Sequence, residues 1–461
     1  MDVRESDVDR RDLRVETGGT FARALTIVGL NATAMLHDAS AAIRTAWQGL
    51  QVRKLLRTVY QPSRGFGDLA GYTSVIKHRK VAERFNFSDP FYRCHEESVG
   101  AKIFIDGREH LNFASYDYVG LNRHPVVSQA AKAAIDQYGT SVSASRIVSG
   151  ERAFHRELES ALADFYEAQA ALAFVSGHAT NVSTIAALME SGDLVVHDEL
   201  AHNSILVGAK LSGATVRPFR HNDMAALEKL LEEERGCHKN ALIVVEGLYS
   251  MDGDIPDLPR LIELKQRHNA WLMVDEAHAL GVLGKHGRGV AEHFDIDPSD
   301  VDIWMGTLSK ALSACGGYIA GSHELIELLK FRAAGQVYSV GMSPPVAAAA
   351  SAALRLLKAE PERVARLQAN GALFLEEARA HGLDTVTSRG YAIVPIMVGD
   401  IVKAGRITDR MLARGVNVLP IIYPAVPLKA ARLRFFVTSE HTPEQIRTAV
   451  RITAEELRKL A

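Results

Sequence analysis

Six short apolar runs recur along the middle of the chain: ALAFVS, DLVVHD, NALIVVEG, AWLMVDEA, VDIWMG and GGYIAG. Each is too short for a typical helix and too continuously apolar to lie with one face in water. A strand that is apolar on both faces is buried on both faces, and helical stretches lie between most of these runs. The pattern therefore predicts an α/β protein with a mostly parallel sheet covered by helices on each side. At 461 residues the chain is long enough for two or three domains.

What flanks this block is different. Residues 1 to about 90 read as a helical extension and linker. Leu25, Val28, Ala32, Leu36, Ile43, Trp47, Leu50 and Leu55 fall at roughly helical spacing between Ala22 and Tyr60, and the segment from 61 to 90 is rich in Gly, Pro and charge. Arg53, Lys54 and Arg57 follow the apolar part. This helix suits a membrane surface or a carrier protein, or, more plainly, packing on the main body or on a second subunit. Residues 91–145 read as a hairpin and helix, with the hairpin turn at Asp106-Gly107. Residues 146–345 form the large domain, opening on an amphipathic helix with Phe154, Leu158, Leu162 and Phe165 on one face. An Ala-rich helix after Pro345 opens a smaller α/β region, 346–461, with strands AIVPIMV and RLRFFVT.

Several function classes are excluded. A net charge of −2 argues against nucleic acid as a partner. Cys94, Cys237 and Cys315 are far apart, without a C-x-x-C pair, which fits neither a disulfide framework nor a zinc site. The acidic, polar amino terminus is not a secretory signal, and Ala24–Leu36 is too short to span a bilayer. A cytoplasmic protein is expected.

Chemistry-bearing residues gather where the apolar runs end, which is where open α/β sheets bind ligands. The ends carry Ser176-Gly177-His178, His202-Asn203-Ser204, Ser250-Met251-Asp252-Gly253-Asp254, Asp275-Glu276-Ala277-His278 and Thr307-Leu308-Ser309-Lys310. Five such endings in register predict one site. The D-E-A-H string is not a helicase motif here, because no G-x-x-x-x-G-K-[ST] phosphate loop accompanies it, and no H-E-x-x-H occurs. An Asp at one strand end, a Lys at another and hydroxyls beside the Lys suit pyridoxal 5'-phosphate (PLP). The amine forms a Schiff base with the aldehyde, the carboxylate keeps the ring nitrogen protonated, and hydroxyls and backbone N–H groups hold the phosphate.

On these residues the chain resembles the α-oxoamine synthase family, and within it the serine palmitoyltransferases and their carrier-protein-dependent relatives. The resemblance spans about residues 90 to 458, through SYDYVGL, GTSVSASRIVSG, SGHATN, DELAHNSI, FRHND, VEGLYSMDGD, VDEAHALGVLGKHGRG, GTLSKALSACGGYIAG and RLRFFVTSEHT. It implies a fold-type I PLP transferase with a mostly parallel seven-stranded sheet and a smaller C-terminal α/β domain. It implies Lys310 as the Schiff-base lysine and proton carrier, Asp275 on the ring nitrogen, His278 on the ring oxygen and His202 stacked on the ring. Gly177, His178, Thr307 and Ser309 match the phosphate-binding groups, Ser250 a residue near the ring, and Arg434 the clamp on the amino-acid carboxylate. Arg432 is its near neighbour.

Three positions depart from the family. Asp117 stands where Asn is frequent, near the substrate. His178 replaces an aromatic residue. Tyr338–Pro345 replaces a segment that reaches the partner subunit's phosphate, a contact left here to backbone or Ser343. The implied reaction is decarboxylative condensation of serine, glycine or alanine with a long-chain acyl thioester on CoA or acyl-carrier protein, with serine favoured and sphingolipid biosynthesis as its setting. A homodimer is implied, with peripheral membrane contact through the N-terminal extension as a further expectation. The alternatives are another fold-type I PLP enzyme, such as an aminotransferase or carbon–sulfur lyase, and a non-catalytic subunit of a heterodimer.

Overall fold

The computed structural model describes residues 65–96 and 100–460. In chain order its elements are α1 (Ala70–Arg84), β1 (Lys102–Ile105), β2 (Arg108–Asn112), α2 (Pro125–Tyr138), α3 (Ala153–Tyr166), β3 (Ala170–Phe174), α4 (Gly177–Leu188), β4 (Leu194–Asp198), α5 (Asn203–Ser212), β5 (Thr215–Phe219), α6 (Met224–Glu234), β6 (Ala241–Glu246), α7 (Leu258–Arg267), β7 (Trp271–Asp275), α8 (Val290–Phe294), β8 (Ile303–Thr307), β9 (Gly317–Gly321), α9 (His323–Arg332), α10 (Ala334–Val337), α11 (Pro344–Ala359), α12 (Glu362–Ala380), β10 (Ile393–Gly399), α13 (Ile401–Ala413), β11 (Val416–Asn417), β12 (Leu419–Ile421), β13 (Ala431–Phe436) and α14 (Pro443–Arg458). Among the described residues no helix is long and apolar enough to cross a membrane.

All six apolar runs enter one seven-stranded sheet of order β3-β9-β8-β7-β6-β4-β5. Strands β4 to β8 pair in parallel, and β9 runs antiparallel to both of its neighbours. The sheet is the mostly parallel, seven-stranded one that the resemblance implies. Its residues divide strictly by parity. Ala171, Ala173, Ile243, Val245 and Trp304 enter the core on one face, while Leu172, Phe174, Leu242, Val244 and Met305 enter the core on the other. Both faces are dry, so alternation never appears in the sequence. The seventh strand, β5, was not among the six runs. It carries Arg217 and Pro218, which an edge strand tolerates because one side of its ladder is unpaired.

The chain divides between Val81 and Ala82, and the described residues from Ala82 onward form one compact unit. The helix expected over 22–60 lies outside the described residues. The stretch read as linker needs correction, since α1 occupies much of it. Its glycines and prolines punctuate the ends, whereas Tyr72 to Arg84 contains neither and holds Lys, Arg and Ala, which lose little freedom in a helix. The hairpin turn falls at Asp106-Gly107, both at positive φ (50° and 68°), with Ile105 opposite Arg108. The hairpin is completed by β11, which pairs in parallel with β2. A separate antiparallel sheet, β10-β13-β12, carries Arg432 and Arg434 on its central strand.

Candidate active site

Parallel register brings the strand ends to one edge. Glu246 at the end of β6 stands beside Asp275 at the end of β7, and Asp275 beside Met305 of β8. Beyond that edge lies a cavity of about 230 Å³. It is lined by Lys310, Asp275, His278 and His202, and by Gly177, His178, Thr307 and Ser309, all named from sequence. A larger open groove of about 560 Å³ near Phe165, Arg288 and Lys358 gathers none of this cluster.

The cavity sets the charge states of its residues. Burial lowers the Lys310 ammonium to about 8, although Asp275 and Glu246 pull the other way. Its Nζ lies 5.8 Å from the centre of the Tyr116 ring. Asp275 accepts from the Ala277 N–H at 2.9 Å and from the Asn181 Nδ2–H at 2.7 Å. His278 shares a 2.6 Å hydrogen bond between Nδ1 and the Tyr118 hydroxyl, and burial holds its imidazole well below the ordinary range. His202 is the N-cap of α5 and accepts from the Ser204 N–H through Nδ1. Burial, then the nearby cations, lower its pKa, against the pull of Asp275.

The opposite wall suits an anion. Helix α4 begins there with Ser176 as N-cap, and Ser176, Gly177, Thr307 and Ser309 line the cavity together, so a helix N-terminus and two hydroxyls share one wall. Thr307 donates to Gly316 O at 2.9 Å and lies 2.7 Å from the Ser309 hydroxyl. Gly177 is required for this approach, because a Cβ there would stand 2.8 Å from Thr307 Oγ1.

Three predicted residues do not line the cavity. Arg434 donates from Nη1 to Ser250 O at 2.8 Å, and its guanidinium carbon sits 4.7 Å from the Phe436 ring centre. Ser250 engages through its backbone, accepting that bond and donating N–H to Glu246 at 3.1 Å. Asp117 turns its carboxylate to the Leu121 and Asn122 N–H groups and to Ser313, and burial raises it to about 6. Arg432 is the arginine already committed, paired with buried Asp252.

The aminotransferase class I and II family model matches residues 108–452. The 8-amino-7-oxononanoate synthase of Symbiobacterium thermophilum is 42% identical over 359 residues, covering 78% of this chain and 91% of that protein. The enzyme of the same name from Geobacter sulfurreducens is 44% identical, covering 77% and 90%. Among solved structures, the serine palmitoyltransferase of S. paucimobilis superimposes with a TM-score of 0.82 at 29% identity, over 86% of this chain and 99% of that one, and it was solved with a PLP–myriocin aldimine.

The chain belongs to the α-oxoamine synthases.

PLP is the cofactor of this fold and family, and the synthase's residues fit it. Around the cavity, Asn181 Oδ1 and Glu246 Oε1 are buried without a partner, as is Arg434 Nε nearby. Unmet buried polar atoms are costly, and a polar ligand relieves that cost. Lys310 would hold the aldehyde, Asp275 the ring nitrogen, His278 the ring oxygen, and the α4 N-terminus with Thr307 and Ser309 the phosphate.

Sequence reasoning gave no role to four residues that the structure brings to the site: Asn181, Ser204, Glu246 and Tyr118. The first three line the cavity and Tyr118 bonds His278. Glu246 is raised to about 8 by burial and by Asp275 beside it. Glu246 ends an apolar strand exactly as Asp275 does, so its position was a usable signal. Tyr118 lies within SYDYVGL, and only packing brings it to His278, 160 residues away.

Proposed function

We propose that the synthase condenses a small amino acid with an acyl thioester, releasing CO₂ and the free thiol and leaving an α-amino ketone. The carrying observation is that Lys310, Asp275, His278 and His202 share one cavity, with a partnerless Arg434 Nε close by. Arg434 is near enough for its charge to help lower the pKa of Lys310, His202 and His278. Bound PLP supplies an electron sink for negative charge at the substrate's α-carbon.

The chain's own residues do the rest. Arg434 binds the amino-acid carboxylate, a task suited to a guanidinium. Asp275, held by two donors, keeps a proton on the ring nitrogen. His278 is uncharged and gives a hydrogen bond without adding a positive charge. Lys310 takes up and returns the α-proton at Nζ, and its lowered pKa makes the neutral amine accessible near neutral pH.

The name 8-amino-7-oxononanoate specifies an amine on C8, a ketone on C7 and a terminal methyl. That product is what alanine and a seven-carbon diacid thioester give after loss of CO₂. The relatives of that name are the more identical ones, so alanine is placed ahead of the serine favoured from sequence. The likeness to serine palmitoyltransferase, at 30% identity and a TM-score of 0.82, supports serine with a long-chain thioester as the second reading.

A homodimer is part of the proposal. The Ser145–Val340 bridge joins the turn at Arg146–Gly150 to the Tyr338–Pro345 segment. Val148 (79% exposed) and Tyr338 (86% exposed) stand there as uncovered apolar groups. Ser343 makes no capping bond to α11, which leaves its hydroxyl for a partner's phosphate.

The test is a spectral titration with alanine, serine and glycine, then an acyl thioester panel on CoA and on carrier protein. Expected are CO₂, free thiol and an α-amino ketone, all lost in Lys310→Ala. Transamination without thiol release would assign the site to the aminotransferase alternative. Removal of residues 1–85 is expected to weaken only the use of long or carrier-bound donors. Unchanged kinetics with those donors would refute a docking role for the extension.

A further inference from the structure

The bonds around His202 have a direction. Asn181 has one amide nitrogen with two hydrogens. One goes to Asp275 Oδ2 at 2.7 Å and the other to Ser204 Oγ at 2.9 Å. The reverse amide orientation would set a carbonyl oxygen against a carboxylate oxygen, so the nitrogen must face Asp275. Ser204 Oγ therefore accepts from Asn181, and its single proton is left for the atom on its other side, His202 Nδ1, at 2.7 Å. The Ser204 backbone N–H, which can only donate, points at the same Nδ1 from 3.3 Å. Two donors converge on one ring nitrogen, so that nitrogen carries no proton. Asn181, Ser204 and Asp275 are all buried, so the bonds among these three are made away from water.

We propose that the relay Asp275–Asn181–Ser204 fixes His202 as the neutral Nε2–H tautomer, with Asn181 and Ser204 as positioning residues. One strand-end carboxylate thereby sets the protonation pattern of an imidazole that it does not touch. His202 lines the cavity, and Nε2–H is the polar group left to it. It serves as an N–H donor to a substrate oxygen and not as a proton acceptor. The main influences on it agree: burial, Lys310, His178 and Arg434 disfavour an imidazolium and together outweigh Asp275, which favours one. The tautomer stands on the relay alone. Its catalytic meaning rests on the proposed condensation taking place in this cavity.

The test is long-range proton–nitrogen NMR on ¹⁵N-histidine-labelled, PLP-loaded protein, with His202 assigned by loss of its signals in His202→Gln. A protonated Nε2 with a bare Nδ1 at neutral pH is expected. An Nδ1–H ring or an imidazolium would overturn the proposal. Asn181→Asp is a second arm, since it replaces the donor by an acceptor at nearly the same size. The Ser204 hydroxyl then turns to residue 181, His202 Nδ1 keeps only the long backbone N–H contact, and the Nδ1–H form is expected to gain population. Turnover should fall on the order of tenfold while PLP absorbance is retained. A folded, PLP-loaded variant that keeps the wild-type tautomer would refute the assigned role of Asn181. If it does not fold, the wild-type spectrum still decides. Because the spectrum needs no substrate, failure of the condensation assay leaves this result readable, and the reverse also holds.

Discussion

Burial leaves the Lys310 amine poorly solvated and lowers it to about 8. Only the neutral form attacks an aldehyde. Capture of PLP by the cofactor-free protein should therefore quicken as pH rises and level off above about 8. Stopped-flow absorbance measures this, and a rate still climbing toward the ordinary lysine range would contradict it. Arg432 and Arg434 lie two residues apart on β13 and should fail differently. Arg432→Ala strands the buried Asp252 carboxylate and should cost about 3–5 kcal/mol of stability, read by denaturant unfolding. Arg434→Lys should keep the fold and raise KM for the amino acid, because a bidentate grip is lost. Sequence position was enough to propose Lys310, Asp275, His278 and His202, since each sits at or just past the end of an apolar run. It was not enough to separate the two arginines, whose difference is a partner 180 residues away.

At the scale of elements, the site is a set of termini. Strand ends supply Asp275 and Thr307, and helix starts supply Gly177 and His202. One connection is anchored by a charge triad. His221, just after β5, lies 2.9 Å from both Asp198 at the end of β4 and Asp254 after β6. Burial alone would lower this imidazole, but hydrogen bonds to the two aspartates outweigh it and raise it from 6.5 to about 10. A raised pKa stabilises the fold fully below the unfolded value and is lost as pH rises through the folded one. His221→Gln should thus cost about 3 kcal/mol at mildly acidic pH. The deficit should begin to shrink above 6.5 and be gone beyond about 10. Thermal melts across pH check this, and a deficit that does not vary with pH would show the triad to be uncharged. The triad also holds the segment from Asp198 to His202, which links it to the cavity. F-R-H-N-D was visible as a motif, but its role required three strand ends to be neighbours.

At the scale of the whole molecule, the uncovered apolar groups at Val148, Tyr338 and Val340 predict a second copy. Val340→Asp should shift the protein toward monomer in sedimentation and lower activity together with PLP retention. A variant that stays dimeric would move the interface elsewhere. What the amino-acid order determined alone was local: six strands, the turn at Asp106-Gly107, the Ala-rich helix, and which residues stand at strand ends. Those follow from backbone preference and from burial on two faces, both of which act over a few residues. Tertiary structure decided what spans the chain. It made β5 an edge strand and joined β11 to β2, and it turned Asp117 toward a backbone turn. It committed Arg432 to Asp252 and linked Asp275 to His202 through Asn181 and Ser204. A hydrogen bond or ion pair is worth its energy only at contact distance and away from water. Which groups meet that condition is settled when distant segments pack, and no local run of residues records it.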